Sequence, residues 1–133
     1  MADYSANPDE PITSKGEAKY EMIMGGRYLK CNYESTYAGQ PFQGMAIQGY
    51  DNKLKKYISI WIDSFGTGIM TAKGDYDVAT NTLTENAQMS SPMGPMKMKM
   101  VTEYKDKDNF VTKMYNIGED GAETLSMKIT YSR

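Results

Sequence analysis

Apolar side chains recur at every second position along most of this chain, and the pattern breaks at Gly, Pro, Asn or Asp roughly every 8 to 12 residues, the spacing of meandering all-β domains. Ala18, Tyr20, Met22 and Met24 alternate with Glu17, Lys19, Glu21 and Ile23, which describes a strand with one buried face. Leu29, Cys31 and Tyr33 stand in the same relation to Tyr28, Lys30, Asn32 and Glu34. Met96, Met98, Met100, Thr102 and Tyr104 repeat it against Lys97, Lys99, Val101, Glu103 and Lys105. A helix facing a core needs apolar residues three and four apart, and no convincing stripe of that kind exists. The pattern predicts an all-β fold, a single antiparallel meander barrel of about nine strands. Closure is favoured over a flat sheet because it removes the unpaired edges that invite aggregation.

Turn residues mark the same divisions. Gly25-Gly26, Ala38 to Pro41, Asp51 to Lys55, Gly66 with Gly68, Asp77 to Asn81, Ser90 to Pro95, Asp106 to Asn109 and Gly118 to Gly121 supply the residues that take positive φ or bond their own backbone. Gly44 and Gly49 fall inside a strand from Phe42 to Tyr50 and predict curvature there. Tyr57 to Asp63 carries Ile58, Ile60 and Ile62 on one side and Tyr57 and Trp61 on the other, so both faces are expected to be covered. The last strand, Ala122 to Tyr131, is expected to hold Leu125, Met127, Ile129 and Tyr131 on one side. Asn7-Pro8 and Glu10-Pro11 disfavour regular pairing, which predicts a flexible or docked N-terminal arm over residues 1–13 and a β-barrel domain over residues 14–133.

Fifteen Lys plus Arg against seventeen Asp plus Glu leave a net charge of −2. That balance supplies no basic field to hold a phosphate backbone, so nucleic acid is not an expected partner. No apolar run reaches the roughly 18 residues of a membrane helix, and Met1 to Pro11 lacks the basic start and apolar centre of a secretion signal. No membrane partner and a cytoplasmic location are the expectations. Cys31 is the single cysteine and there is no His. An internal disulfide, a two-Cys redox motif, an imidazole zinc site and Ser-His-Asp or Cys-His catalysis are therefore excluded within one chain. No metal ligand, cofactor or catalytic residue is assigned; carboxylate, Tyr or Lys chemistry survives the filter.

Gly25-Gly26-Arg27-Tyr28-Leu29, then Gly49-Tyr50-Asp51-Asn52 with Lys56-Tyr57, then Trp61-Ile62-Asp63-Ser64 with Gly66-Thr67-Gly68, follow one another in an order that resembles a bacterial domain-of-unknown-function family numbered 1579. Ile129-Thr130-Tyr131-Ser132-Arg133 looks like the family's terminal strand, and the similarity runs from about Pro11 onward. The resemblance implies a calycin-like β-barrel, the architecture of lipocalins, and no assigned activity. The chain departs from the family pattern in lacking a Gly-x-Trp strand near the start. It is therefore expected to lack the family's first strand, with residues 1–13 or a partner chain covering the exposed edge.

Methionine is abundant, and Met89, Met93, Met96, Met98 and Met100 lie close in sequence. Thioethers bind Cu(I), but alternate strand positions lie about 6.6 to 6.8 Å apart, too far for neighbouring sulfurs to share one ion without a second strand. Filling of core or pocket space is the favoured reading. Trp61, Asp63 and Tyr57 share one strand face, where the carboxylate either sits among aromatics as an acid or base, or caps the turn before Gly66; capping is favoured. Arg27 either meets a ligand carboxylate or pairs with a neighbouring acid, and pairing is favoured. Glu17 and Glu21 flank Lys19 as solvated charge, and Cys31 is expected to be buried and inert.

The candidate ligand-binding residues are Tyr20, Met22, Arg27, Tyr50, Trp61, Asp63, Met98 and Tyr104. Three functional readings follow. The first is a barrel binding a small apolar or amphipathic ligand in its interior, which calls for an apolar-lined cavity of roughly 300 Å³ or more. The second is a structural protein acting through a homo-dimer or higher homo-oligomer interface at Tyr57 to Asp63. The third is an enzyme using Asp63, Arg27 and a Tyr.

Overall fold

The computed structural model of the chain describes residues 2–3, 12–91 and 94–132. Met1 and residues 4–11 of the expected arm, Pro92 and Met93 of the expected turn, and Arg133 lie outside the described residues. The regular elements are all strands: β1 (Ala2–Asp3), β2 (Ile12–Thr13), β3 (Gly16–Ile23), β4 (Tyr28–Tyr37), β5 (Gln40–Asp51), β6 (Lys56–Asp63), β7 (Met70–Asp77), β8 (Thr82–Ser91), β9 (Gly94–Tyr104), β10 (Asn109–Ile117) and β11 (Glu123–Ser132). β3 to β11 are the nine antiparallel meander strands that the alternation predicts. Among the described residues no helix is long and apolar enough to cross a membrane, which bears on helices alone.

Hydrogen-bonded neighbours follow the order β2-β1-β11-β10-β9-β8-β7-β6-β5-β4-β3 in one sheet. β2 and β3, the two ends of that order, are separated in the chain only by Ser14 and Lys15. Three backbone steps reach about 11 Å at most, whereas the edges of a flat sheet of this size would stand about 48 Å apart. The sheet must therefore curl strongly at the end where β2 passes into β3. Along the rest of β3, among the described residues, no ladder joins it to β11. That gap is crossed by side chains: the Tyr20 ring lies 6.2 Å from Phe110 and 6.4 Å from Tyr131. Tyr37 on β4 donates its hydroxyl to Asp3 on β1, a second tie between the two sides of the curl.

Turn chemistry sets the strand ends. Ala38 and Gly39 both take positive φ, which makes a two-residue turn and brings Tyr37 opposite Gln40. Gln40 and Pro41, read from sequence as turn, consequently open β5. A second departure lies in β11, where Met127 pairs with Met114 but Leu125 pairs with Tyr115, leaving Ser126 as an extra residue. Its buried hydroxyl donates to the Met114 carbonyl at 3.1 Å. The bulge moves Leu125 to the outward side instead of leaving it in line with Met127.

The concave face carries the core. Met70, Ala72, Ala87, Met98 and Met100 form its buried centre, with Trp61, Met89 and Met114 packed against it. Toward the end closed by β1 and β2, the rings of Tyr33, Tyr37, Phe42, Trp61 and Phe65 touch one another, Phe42 and Phe65 at 4.9 Å. Gly44 makes room for the indole, since a Cβ there would stand 2.2 Å from the Trp61 ring. On the convex face the register sets Met45 and Ile47 of β5 beside Ile62 and Ile60 of β6. Ile60 and Ile62 are 36% and 40% exposed there.

Candidate functional site

At the other end of the curl the inward side chains are mostly tyrosines. The register pairs Tyr20 with Cys31, Tyr50 with Tyr57, Tyr76 with Leu83, and Phe110 with both Tyr104 and Tyr131. Because Cys31 and Leu83 are buried, these positions belong to the concave side. The rings run in an arc: Tyr76 lies 6.2 Å from Tyr104, Tyr104 5.5 Å from Phe110, and Phe110 stacks on Tyr131 at 4.3 Å. Tyr50 and Tyr57 form an edge-on pair at 5.0 Å. Although they face the concave side, Tyr20, Tyr50, Tyr76 and Tyr104 remain 37 to 50% exposed.

Glu85 is the buried polar group at this tyrosine end, the mouth of the curl, and lies close to Tyr104. It is 6% exposed, on a strand whose other inward residues are Leu83, Ala87 and Met89. The Ser59 hydroxyl on β6 donates to Glu85 Oε2 at 2.8 Å. That bond spans β7 at Gly74, where a Cβ would lie 2.6 Å from Glu85 Cγ and 2.3 Å from the Thr84 carbonyl oxygen. The missing side chain is what lets β6 reach the carboxylate. Burial pushes the Glu85 pKa up, opposed by hydrogen bonds from Ser59 and Gln48. Burial is also the main cause raising Tyr104, reinforced by Glu85, Tyr76 and Tyr57. Tyr20 and Tyr131 are raised well above the ordinary tyrosine value, first by burial of their hydroxyls. These phenols stay neutral across the physiological range, so they offer hydroxyls and ring faces rather than bases. Burial pushes the Cys31 thiol up as well, against a hydrogen bond with Tyr20, the condition of an unreactive cysteine.

Of the residues singled out from sequence, Tyr20, Met22, Tyr50 and Tyr104 come to this end on the concave register, and Arg27 lies exposed in the adjoining β3–β4 turn. Met98 sits in the buried centre. Trp61 and Asp63 lie toward the opposite end. The Trp61 indole N–H donates to Asp63 Oδ2 at 2.8 Å and the Phe65 backbone N–H to Oδ1 at 3.0 Å, so both carboxylate oxygens serve the ring and the turn. The register sets Gly44 opposite Asp63 and Gly49 opposite Tyr28. Five residues of strand, about 17 Å, therefore separate Asp63 from the neighbourhood of Arg27, and the fold does not gather them into one site.

Glu85, Tyr57, Tyr76 and Tyr131 are not among the ligand-binding residues expected from sequence, although the alternation places Tyr57 and Tyr131 on their strand faces. The signal for Glu85 was present, because Leu83, Glu85, Ala87 and Met89 alternate with polar residues and place one carboxylate at an apolar position. An open hollow of about 510 Å³ lies elsewhere, among Lys56, Lys73, Asp75, Asn86, Gln88 and Lys97 on the outward side of β6 to β9. Its polar walls are not buried, and Lys56 is paired with Asp75 at 2.6 Å, the make-up of a solvated sheet face rather than of the apolar container expected from sequence. Among the described residues no group of three or more Cys, Asp and Glu side chains gathers as a metal site.

No curated protein matches the chain. A family model described as protein of unknown function, DUF1579, matches residues 2–133, and with nearly its whole length covered the chain belongs to that family.

Proposed function

We propose that this protein is a non-catalytic binding module whose tyrosine mouth takes a small apolar or amphipathic molecule. The observation that carries the reading is the retention of large, partly exposed aromatic faces on a concave surface, above a buried carboxylate and beside a filled methionine core. Convergent aromatic walls with few polar groups are the make-up of small-molecule sites. Rings that already touch one another lose little freedom on binding, which favours affinity. Native mass spectrometry of protein purified from its own host is the direct test. A stoichiometric small molecule that is lost when Tyr104 and Tyr50 are both changed to Ser would support the reading; a bare mass at every gentle activation energy would count against it.

A second reading rests on a separate observation, the outward aliphatic group of Met45, Ile47, Ile58, Ile60 and Ile62 on β5 and β6. Such a patch is suited to cover by a second copy of the chain. Light scattering reads the outcome: a particle of twice the chain mass that Ile60→Lys reduces to one chain supports it, and a monomer at every working concentration removes it.

A further inference from the structure

Charge inside the curl has one sign. Along the described strands the inward register positions carry Asp3, Asp63 and Glu85 and neither Lys nor Arg. Asp3 accepts the Tyr37 hydroxyl, and Asp63 is taken up by Trp61 and Phe65. Glu85 differs from both in lying next to the partly exposed Tyr104 at the tyrosine end of the curl. Its partners there, Ser59 and Gln48, are neutral, and it takes part in none of the described ion pairs. A buried carboxylate lacking a cation is costly.

The walls above it add to that field. An aromatic ring is negative over its face, so tyrosine faces attract a cation and repel an anion. A carboxylate ligand entering the mouth would meet Glu85 and the ring faces together, whereas a cation would gain from both. We infer that the mouth selects a small organic cation, an ammonium or guanidinium head on an apolar body, with Glu85 as counter-charge and the faces of Tyr57, Tyr76 and Tyr104 as walls. This rests on the binding reading above and narrows its ligand class. It also sets the mouth against carboxylate-bearing lipids.

Calorimetry at pH 7.5 with three ligands of matched chain, octyltrimethylammonium, octanol and octanoate, tests the inference on the full chain. The expected result is that the cation binds at least tenfold more tightly than octanoate. Glu85→Gln should weaken the cation at least fivefold and leave octanol unchanged. Tyr104→Phe, which keeps a ring face, should retain cation binding, and Tyr104→Leu should lose several-fold; this pair carries the test if the Glu85 variant does not fold. Octanoate binding as tightly as the cation, or a cation affinity indifferent to both Glu85→Gln and Tyr104→Leu, would overturn the inference while leaving a binding protein. A mouth neutralised by a proton on Glu85 would give that indifferent result. Failure of all three ligands to bind would instead bring down the binding reading itself.

Discussion

The two ends of the curled sheet use similar aromatic residues for different ends. Around Trp61 the polar tips are tied to local acids, the indole N–H to Asp63 and the Tyr37 hydroxyl to Asp3, and the rings lie against a methionine core. Around Glu85 the tyrosines lean on one another and keep much of their surface in water. Where aromatic tips and acids satisfy each other, the residues are spent on holding the fold. Where an acid is satisfied only by Ser59 and Gln48, ring faces and a carboxylate remain for something else.

That contrast breaks if substitutions at the two ends behave alike. Met98→Ala should have the largest effect, because a buried thioether is replaced by a cavity; a loss of about 2 to 5 kcal/mol is expected in chemical unfolding, with ligand affinity unchanged in the fraction that stays folded. Gly44→Ala should follow with about 1 to 3 kcal/mol, since its Cβ would displace an indole held by Phe42, Tyr33 and Asp63. A near-neutral result there would show that the Trp61 end is less tightly fitted than its contacts imply.

At the mouth the sign should reverse. Burial raises the Glu85 pKa above its ordinary value of 4.5, so the native state binds the proton more readily than the unfolded chain. Stability should therefore fall as pH rises from 4.5 through the folded-state value and level off above it. The neighbouring Tyr104 phenol, raised by burial, does not ionise in that window. Glu85→Gln should remove this slope and gain stability near neutrality, by less than Met98→Ala loses; an unchanged slope across urea titrations at several pH values would show that another group sets it. Tyr50→Ala should cost least, about 0.5 to 1 kcal/mol from the lost cross-strand pair with Tyr57, although it removes part of the proposed wall.

Much of this fold can be read from the sequence, and the reason is that strand alternation reports which face a side chain takes. The inward residues of β4 and β9 follow directly from it. Height along the curl is a different quantity, set by register and turn length, and alternation is silent on it. Tyr57 and Trp61 look equivalent in sequence, yet one stands in the tyrosine mouth and the other in the ring cluster at the far end. Leu125 escaped even the facial rule because the extra residue Ser126 reverses the phase within one strand. Glu85 was overlooked because one acid among short-spaced polar residues reads as solvated charge until its neighbours Leu83 and Ala87 are known to be buried.

The passage from β2 to β3 through Ser14 and Lys15 works as a clasp on an otherwise open collar. Cutting the chain there and losing the preceding residues would strip β1 from β11 and free the edge positions Met127 and Lys128 that Asp3 and Ala2 now cover. Such a border recruits strands from other molecules. A version beginning at Gly16 is thus expected to associate more strongly in light scattering than the whole chain, so two very short strands decide how the sheet's border meets other molecules.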